Sequence, residues 1–208
     1  VCNIQMAGAA TELMMGKKLH DLNLKPFVAG THYGVKEAVM PFAKFPEVDP
    51  VLGPEMRSTG EVLGIAPDFA TAFFKAQEAA GTFLPTSGTA LVSIAEKNDQ
   101  ALEIGRAFVS LGFRIKATAG TYAFFSKNGI PCELIKKQHE GRPNIVDGIV
   151  NREIAPIVNT PVGKRSIIDD SYIRKNAIKL RIPYFTTLAA ASAVVQGIAA
   201  VKAGTVDV

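Results

Sequence analysis

The chain has 208 residues, 48% of them hydrophobic, with a formal net charge of +4. That length can bury one full core and part of a second, because domains commonly run to ~100–150 residues. A mildly basic balance, 8% aromatics and no Trp offer neither the strong basic patch nor the stacking platforms that favour nucleic-acid polymers. Cys2 and Cys132 lie far apart, and with three histidines there is no zinc-ligand spacing. They are expected to be free thiols in a reducing compartment. No run of about 18 uncharged apolar residues is present, and Val1-Cys2-Asn3-Ile4-Gln5 lacks the charged and apolar regions of a signal peptide. The expectation is a soluble cytoplasmic protein, and a start at Val suggests a fragment or processed product.

The first 84 residues supply few regular elements: a helix-like stretch from Ala9 to Leu22, a strand-like run from Val35 to Phe42, and a proline-punctuated segment from Pro41 to Pro54. A helix opened by Pro67 carries Phe69, Ala72, Phe73 and Ala76 at helical spacing. These elements hardly make a sheet. Gly81 to Gly88 reads as a linker between turn residues.

From Ala90 the pattern becomes regular. The periodicities predict strands over Ala90–Ala95, Phe113–Thr118, Leu134–Lys137, Ala155–Asn159 and Ile182–Phe185. Between them, helices are predicted over Asp99–Leu111, Gly120–Asn128, Asn144–Val150 and Ile167–Leu180, with a last one over Leu188–Lys202. Asn128-Gly129 followed by Pro131 stops the second of these as a left-handed cap would. Strand and helix alternating through short links implies an α/β fold, a doubly wound parallel five-stranded sheet with right-handed crossovers.

In such a sheet the loops at the carboxyl ends of the strands converge on one crevice, where helix N-termini offer N–H groups to negative charge. Four of the predicted strands end in anion-holding residues: Ser93, Thr118 with Thr121, Lys137, and Asn159 with Thr160. Lys136 to Asn144 puts three cations and a helix start after a strand, which suits a phosphate or a solvated loop. Thr118-Ala119-Gly120-Thr121 can cap a helix or bind ligand oxygens. Asn159-Thr160 can form an Asx turn or do the same. Val162-Gly163-Lys164-Arg165-Ser166 lacks the earlier glycine of a phosphate-binding P-loop, because position 158 is Val. For acid–base chemistry the nearby candidates are His139, Glu140, Asp147, Asp169 and Asp170, the last two also explained by a helix dipole. These residues by themselves point to a small anionic ligand bound in an α/β crevice.

Pro41-Phe42-Ala43-Lys44-Phe45-Pro46, with the run from Asp49 through Met56-Arg57-Ser58-Thr59-Gly60 to Val62, closely resembles the end of the second ATP-grasp synthetase unit in the carbamoyl-phosphate synthase large subunit. The later segments Thr118–Thr121, Lys137–Pro143, Asn159-Thr160 and Asp169 resemble that subunit's C-terminal methylglyoxal-synthase-like allosteric domain. The likeness covers nearly everything after Thr11. It implies two parts, an ATP-grasp remnant over 1–84 and the allosteric domain over 85–208. It also implies an ATP-dependent ligase that makes carbamoyl phosphate from bicarbonate, glutamine-derived ammonia and ATP, for pyrimidine and arginine synthesis. The parent enzyme would use ATP with Mg or Mn. This fragment would hold no cofactor, metal or catalytic residue, be inactive alone, and partner the glutamine amidotransferase small subunit and the rest of the large subunit.

The resemblance further implies an effector site for UMP or IMP at Ser93, Thr118, Thr121, Lys137, Asn159 and Thr160, and an ornithine site at Glu37, Met40 and Thr186. A lysine expected after an Asp in the first loop is replaced by Gln100, leaving Lys97 upstream as the candidate phosphate ligand. Pro161-Val162 stands where the family is Thr-rich, and Phe185 where an Asp precedes the ornithine threonine. The absence of Trp argues against the subtype activated by N-acetylglutamate. A methylglyoxal synthase-type lyase is the main alternative, but Gly141-Arg142-Pro143-Asn144 lacks its Asp base and no His follows Asn159. A purely structural interaction module is the third reading. Exposed apolar surface on Phe42, Phe45, Phe69 and Phe73 would then favour a homo-oligomer.

Overall fold

The computed structural model describes residues 4–25, 30–39, 60–161 and 164–204, the side chains of 164–169 excepted. In sequence order the elements are α1 (Met6–Met14), β1 (Tyr33–Val39), β2 (Gly60–Ala66), α2 (Phe69–Ala79), β3 (Thr89–Ser93), α3 (Asp99–Ser110) and β4 (Arg114–Ala117). They continue as α4 (Ala119–Lys127), β5 (Glu133–Leu134), α5 (Ile145–Val150), β6 (Ile157–Asn159), α6 (Lys164–Lys179), β7 (Tyr184–Phe185) and α7 (Leu188–Lys202). The five predicted strands of the second part are all present. They form one parallel sheet in the order β5-β4-β3-β6-β7.

Each sheet face has its own core, because successive strand residues point to opposite sides. Ala90, Val92, Ile115, Ala117, Val158 and Phe185 face Ile104 and Phe108 of α3, Phe125 of α4 and the small-residue side of α7. Phe108 meets Phe113 edge to face, with ring centroids 5.5 Å apart. On the other side Leu91 and Ile157 pack on Ile145 and Ile149 of α5 and on Ile173 and Ala177 of α6. Fully burying each such large side chain stabilises by roughly 1.5–3 kcal/mol. The spacing of apolar residues in α3 is therefore the physical reason it lies where it does.

The first part differs from expectation in four places. The predicted helix over Ala9–Leu22 is instead α1 followed by a single 3-10 turn at Leu19–Leu22, separated by Gly16 at φ +99°. A sheet does form: β1 pairs antiparallel with β2, from Tyr33↔Ala66 to Val39↔Gly60, and the sequence pattern gives no sign of β2. Pro67 precedes α2 instead of occupying its first turn, since Asp68 is the N-cap and its side chain accepts from the Thr71 N–H at 2.9 Å. Phe73 is buried together with Phe74 in the core shared with α7 and offers no surface for association. Phe69 is exposed, while Phe42 and Phe45 lie outside the described residues.

A lone two-stranded sheet is marginal in water. Here β1 and β2 lie on α2, and α2 lies on α7, so the pair is held by the same core as the five-stranded sheet. The β2–α2 contact is close enough to require glycine: a Cβ on Gly64 would stand 2.0 Å from the Ala72 carbonyl oxygen and 2.6 Å from the Ala76 nitrogen. Both are backbone atoms, which cannot rotate aside. Gly64→Ala is expected to destabilise the protein by about 3 kcal/mol or more, read as a lower urea midpoint; an unchanged midpoint would show that β2 is not clamped on α2.

Candidate functional site

The sheet order reverses between β3 and β6, because the backbone leaves β3 toward β4 and β5 and returns to build β6 and β7 on the other side. That reversal opens the crevice of a doubly wound sheet at the strands' carboxyl ends. Ser93 ends β3, Asn159 ends β6, and the two are register partners. They line one pocket with Lys137, Gln138, Ile145, Val146 and Ile173. Ser93, Lys137 and Asn159 are thus brought together, as the sequence suggested.

Thr118 and Thr121 stand beside this pocket through hydrogen bonds to the β3 end. Thr118 Oγ1 donates to Ser93 Oγ at 3.1 Å. Thr121 Oγ1, buried, accepts from the Ile94 N–H at 2.9 Å. Thr160 Oγ1 accepts from the Ala95 N–H at 2.8 Å, and its own N–H donates to the Ser93 carbonyl at 2.9 Å. The loop after β3 is therefore pinned from both sides. Lys97, in that loop, donates its ammonium to the Ile94 carbonyl oxygen.

Two cations meet here. Burial, and secondarily the positive charge of Lys137, push the Lys97 ammonium below its ordinary pKa of 10.5. Neither lysine has a carboxylate partner among the described residues. Next to them α4 starts without closure: Thr118 occupies its N-cap position but makes no side-chain capping bond. Helices α2, α3, α5 and α7 are each capped by their own Asp68, Asn98, Asn144 or Thr187. An uncapped helix start beside two unneutralised ammonium groups is an electrostatic well for an anion.

The basic stretch after β5 contributes less than its composition suggests. Of its three cations only Lys137 lines the pocket. Lys136 faces a second groove with Pro143 and Asn144, and the Arg142 guanidinium lies against Asp147 at 2.9 and 3.1 Å from Nε. That pairing holds the Asp147 carboxyl below the usual range. The start of α5 is closed by Asn144, which accepts from the Val146 and Asp147 N–H groups. Glu140 accepts the Lys137 N–H at 2.8 Å and fixes the turn that presents Lys137. His139 is exposed in that turn, and the Asp169 side chain lies outside the described residues. The described carboxylates near the pocket are thus all committed to structural bonds, which fits binding better than proton abstraction.

Sequence reasoning missed a buried network behind Asn159. Asp170, 3% exposed, accepts from Asn159 Nδ2 at 2.9 Å, from the Tyr184 hydroxyl and from Arg174. Asn159 Nδ2 also donates to Tyr184 Oη at 3.3 Å. Burial and the adjacent carboxylate raise the Tyr184 hydroxyl well above its ordinary pKa. The Asp170/Arg174 spacing of four along a helix was the legible signal, since such residues share a face; the join to Tyr184 needs the fold.

Of the other proposed set, two residues are described. Glu37, on β1, is half-buried and accepts from Gln77 Nε2 at 2.9 Å. Thr186 is exposed just after β7, no hydrogen bond links it to Glu37 among the described residues, and Met40 lies outside them. Among the described residues no group of His, Cys, Asp and Glu is arranged for a metal, and no helix is long and apolar enough to cross a membrane.

The family model described as an MGS-like domain matches residues 100–186. Across 201 residues, 96% of the present sequence, the identity to the carbamoyl phosphate synthase large chain of Archaeoglobus fulgidus is 51%, and 19% of that relative is covered. The corresponding protein of Nostoc sp. is 45% identical over 99% of the present sequence and 19% of its own length. In Aquifex aeolicus, the C-terminal section of the carbamoyl phosphate synthase large chain is 47% identical over 82% of the present sequence and 32% of its own length. These residues span about a fifth of the first two relatives.

Burial raises the Glu37 carboxyl above its ordinary pKa of 4.5, and the Gln77 hydrogen bond offsets only part of that rise. The folded state then binds more protons than the unfolded one between the two pKa values, so stability falls as pH rises from 4.5 through the folded value. Glu37→Gln is expected to gain stability over the wild type as pH passes up through this interval and to gain none below it. The gain stays under about 1 kcal/mol because water screens a half-buried carboxylate. Urea midpoints from roughly pH 4 to pH 8 measure it, and a pH-independent difference would contradict it.

Proposed function

The chain belongs to the carbamoyl phosphate synthase large-chain family, and from that premise we propose that it is the regulatory C-terminal part of such a protein, holding a nucleoside monophosphate effector in the strand-end crevice. The observation that carries this reading is geometric: Lys137 lines the pocket with Ser93, Ser93 takes the hydroxyl bond of Thr118 at the uncapped start of α4, and the Lys97 ammonium sits on the Ile94 carbonyl that Thr121 Oγ1 also reaches at 3.3 Å. A phosphate dianion offers both ammonium groups a counter-charge and takes the free N–H groups of the helix start. Thr118 and Thr121 border it, and Ile145, Val146 and Ile173 give an apolar wall for the rest of the ligand.

In this reading the whole large subunit is the ligase that forms carbamoyl phosphate from bicarbonate, glutamine-derived ammonia and ATP, with Mg or Mn. It partners a glutamine amidotransferase small subunit and serves pyrimidine and arginine synthesis. The groups that bind ATP and metal are expected in the rest of the large subunit, and these 208 residues serve control, with ATP-grasp remnant and allostery as their two parts. Ornithine is the second proposed effector, at Glu37, Met40 and Thr186. What supports it is the half-buried Glu37 carboxylate, which desolvation leaves in need of a cation.

Calorimetric titration with UMP and IMP tests the reading. Losing one charge-assisted phosphate contact costs about 1.5–3 kcal/mol, so Lys137→Ala is expected to weaken nucleotide binding at least about tenfold. Equal affinity in the variant, or no binding of either nucleotide to the folded wild-type protein, would overturn it.

A further inference from the structure

Every α-helix among the described residues is followed by a residue with positive φ, two positions past its last helical residue. After α1, α2, α3, α4 and α7 that residue is glycine: Gly16, Gly81, Gly112, Gly129 and Gly204. After α5 and α6 it is arginine, Arg152 at φ 57° and Arg181 at φ 55°. The turn is built alike in each case. The Arg152 N–H donates to the Ile149 carbonyl at 3.0 Å and the Arg181 N–H to the Ile178 carbonyl at 3.1 Å, as the Gly112 N–H does to that of Val109 at 2.9 Å. A left-handed backbone crowds a Cβ, so glycine holds this position with less strain than arginine.

The helix dipole does not account for the exchange. A cation that complements a carboxyl-terminal dipole can stand in the last turn and leave the left-handed position to glycine, as Lys127 of α4 and Lys202 of α7 do beside Gly129 and Gly204. Helix α6 already has Lys179 there. Nor do the two arginines hold the fold through ion pairs: both are exposed, and neither has a carboxylate partner among the described residues. Glu153, next to Arg152, turns instead to the Lys116 ammonium at 3.4 Å.

The two turns belong to one patch. Helices α5 and α6 pack together on the same face of the sheet. Their turns lead into the neighbouring strands β6 and β7, where the Ile157 N–H donates to the Pro183 carbonyl at 2.9 Å. That is the amino end of the sheet, opposite the crevice. Lys179 adds a third cation, and exposed Val150 adds an apolar contact. Backbone strain that the fold does not require points to a use for the side chain it carries. Guanidinium forks beside an apolar residue suit carboxylates on a protein surface. Neither turn has an aromatic side chain on which a base could stack, which disfavours a nucleic acid.

We propose that Arg152 and Arg181 form the centre of a docking surface for a protein partner that presents carboxylates. The surface lies apart from the crevice, so it stands whether or not a nucleotide binds there.

Replacing each arginine by glycine separates stability from binding. Arg152→Gly and Arg181→Gly are each expected to raise the folded-to-unfolded ratio about threefold, read from urea midpoints, because glycine relaxes the left-handed turn. In an NMR titration of the 208-residue protein, a hexaglutamate peptide is expected to shift the side-chain Nε–H resonances of both arginines. Each glycine variant is expected to bind the peptide about threefold more weakly, the scale of one exposed charge pair. Lys127→Gln, which removes one cation from another helix end, is expected to bind as the wild type does. A glycine variant less stable than wild type would show that the arginines serve the fold, and overturns the proposal. Arginine resonances that do not move, equal peptide affinity in the glycine variants, or an equal loss in Lys127→Gln each overturn it as well. So does a thymidine hexanucleotide that binds more tightly than the peptide, since that result assigns the cations to phosphate.

Discussion

The parallel pairing of β3 with β6 is the constraint on which the rest depends. It sets Ser93 beside Asn159, and because β4 and β5 lie to one side and β7 to the other, no further strand crosses the opening between the loops that follow. The Thr118, Lys97 and Lys137 segments converge there without any special sequence motif. The topology does the gathering, and each loop contributes its polar groups.

Capping bonds close the starts of α2, α3, α5 and α7 and leave that of α4, at the crevice, open. Asp68, Asn98, Asn144 and Thr187 satisfy their own helices, while Thr118 gives its hydroxyl proton to Ser93 instead. A cap is worth about 1 kcal/mol, and forgoing it at α4 leaves N–H groups available where two ammonium groups already repel each other. The same arrangement that weakens the unliganded crevice strengthens it for an anion.

The strand and helix order from Thr89 onward was legible because apolar spacing in segments such as Ala101, Ile104 and Phe108 reflects burial directly. Ser93, Lys137 and Asn159 were found for the same reason: strand ends in a parallel sheet share one edge. The strand at Gly60–Ala66 was not legible, because its two glycines argue against a strand and Gly64 is explained only by the approach of α2. The Lys136–Asn144 run misled in part, since charge count does not say which way a side group points; Arg142 turns to Asp147 and only Lys137 reaches the pocket. Asp170 was read as a dipole residue, yet its partners Asn159 and Tyr184 lie 11 and 14 positions away, a separation no local pattern reveals.

The most direct test of the central claim is a crystal structure of this protein with a nucleoside monophosphate at saturating concentration. The phosphate is expected between Lys97, Lys137 and the first N–H groups of α4, with the ligand running along Ser93 and Asn159. A nucleotide bound elsewhere, or an ordered crevice left without one, would contradict it.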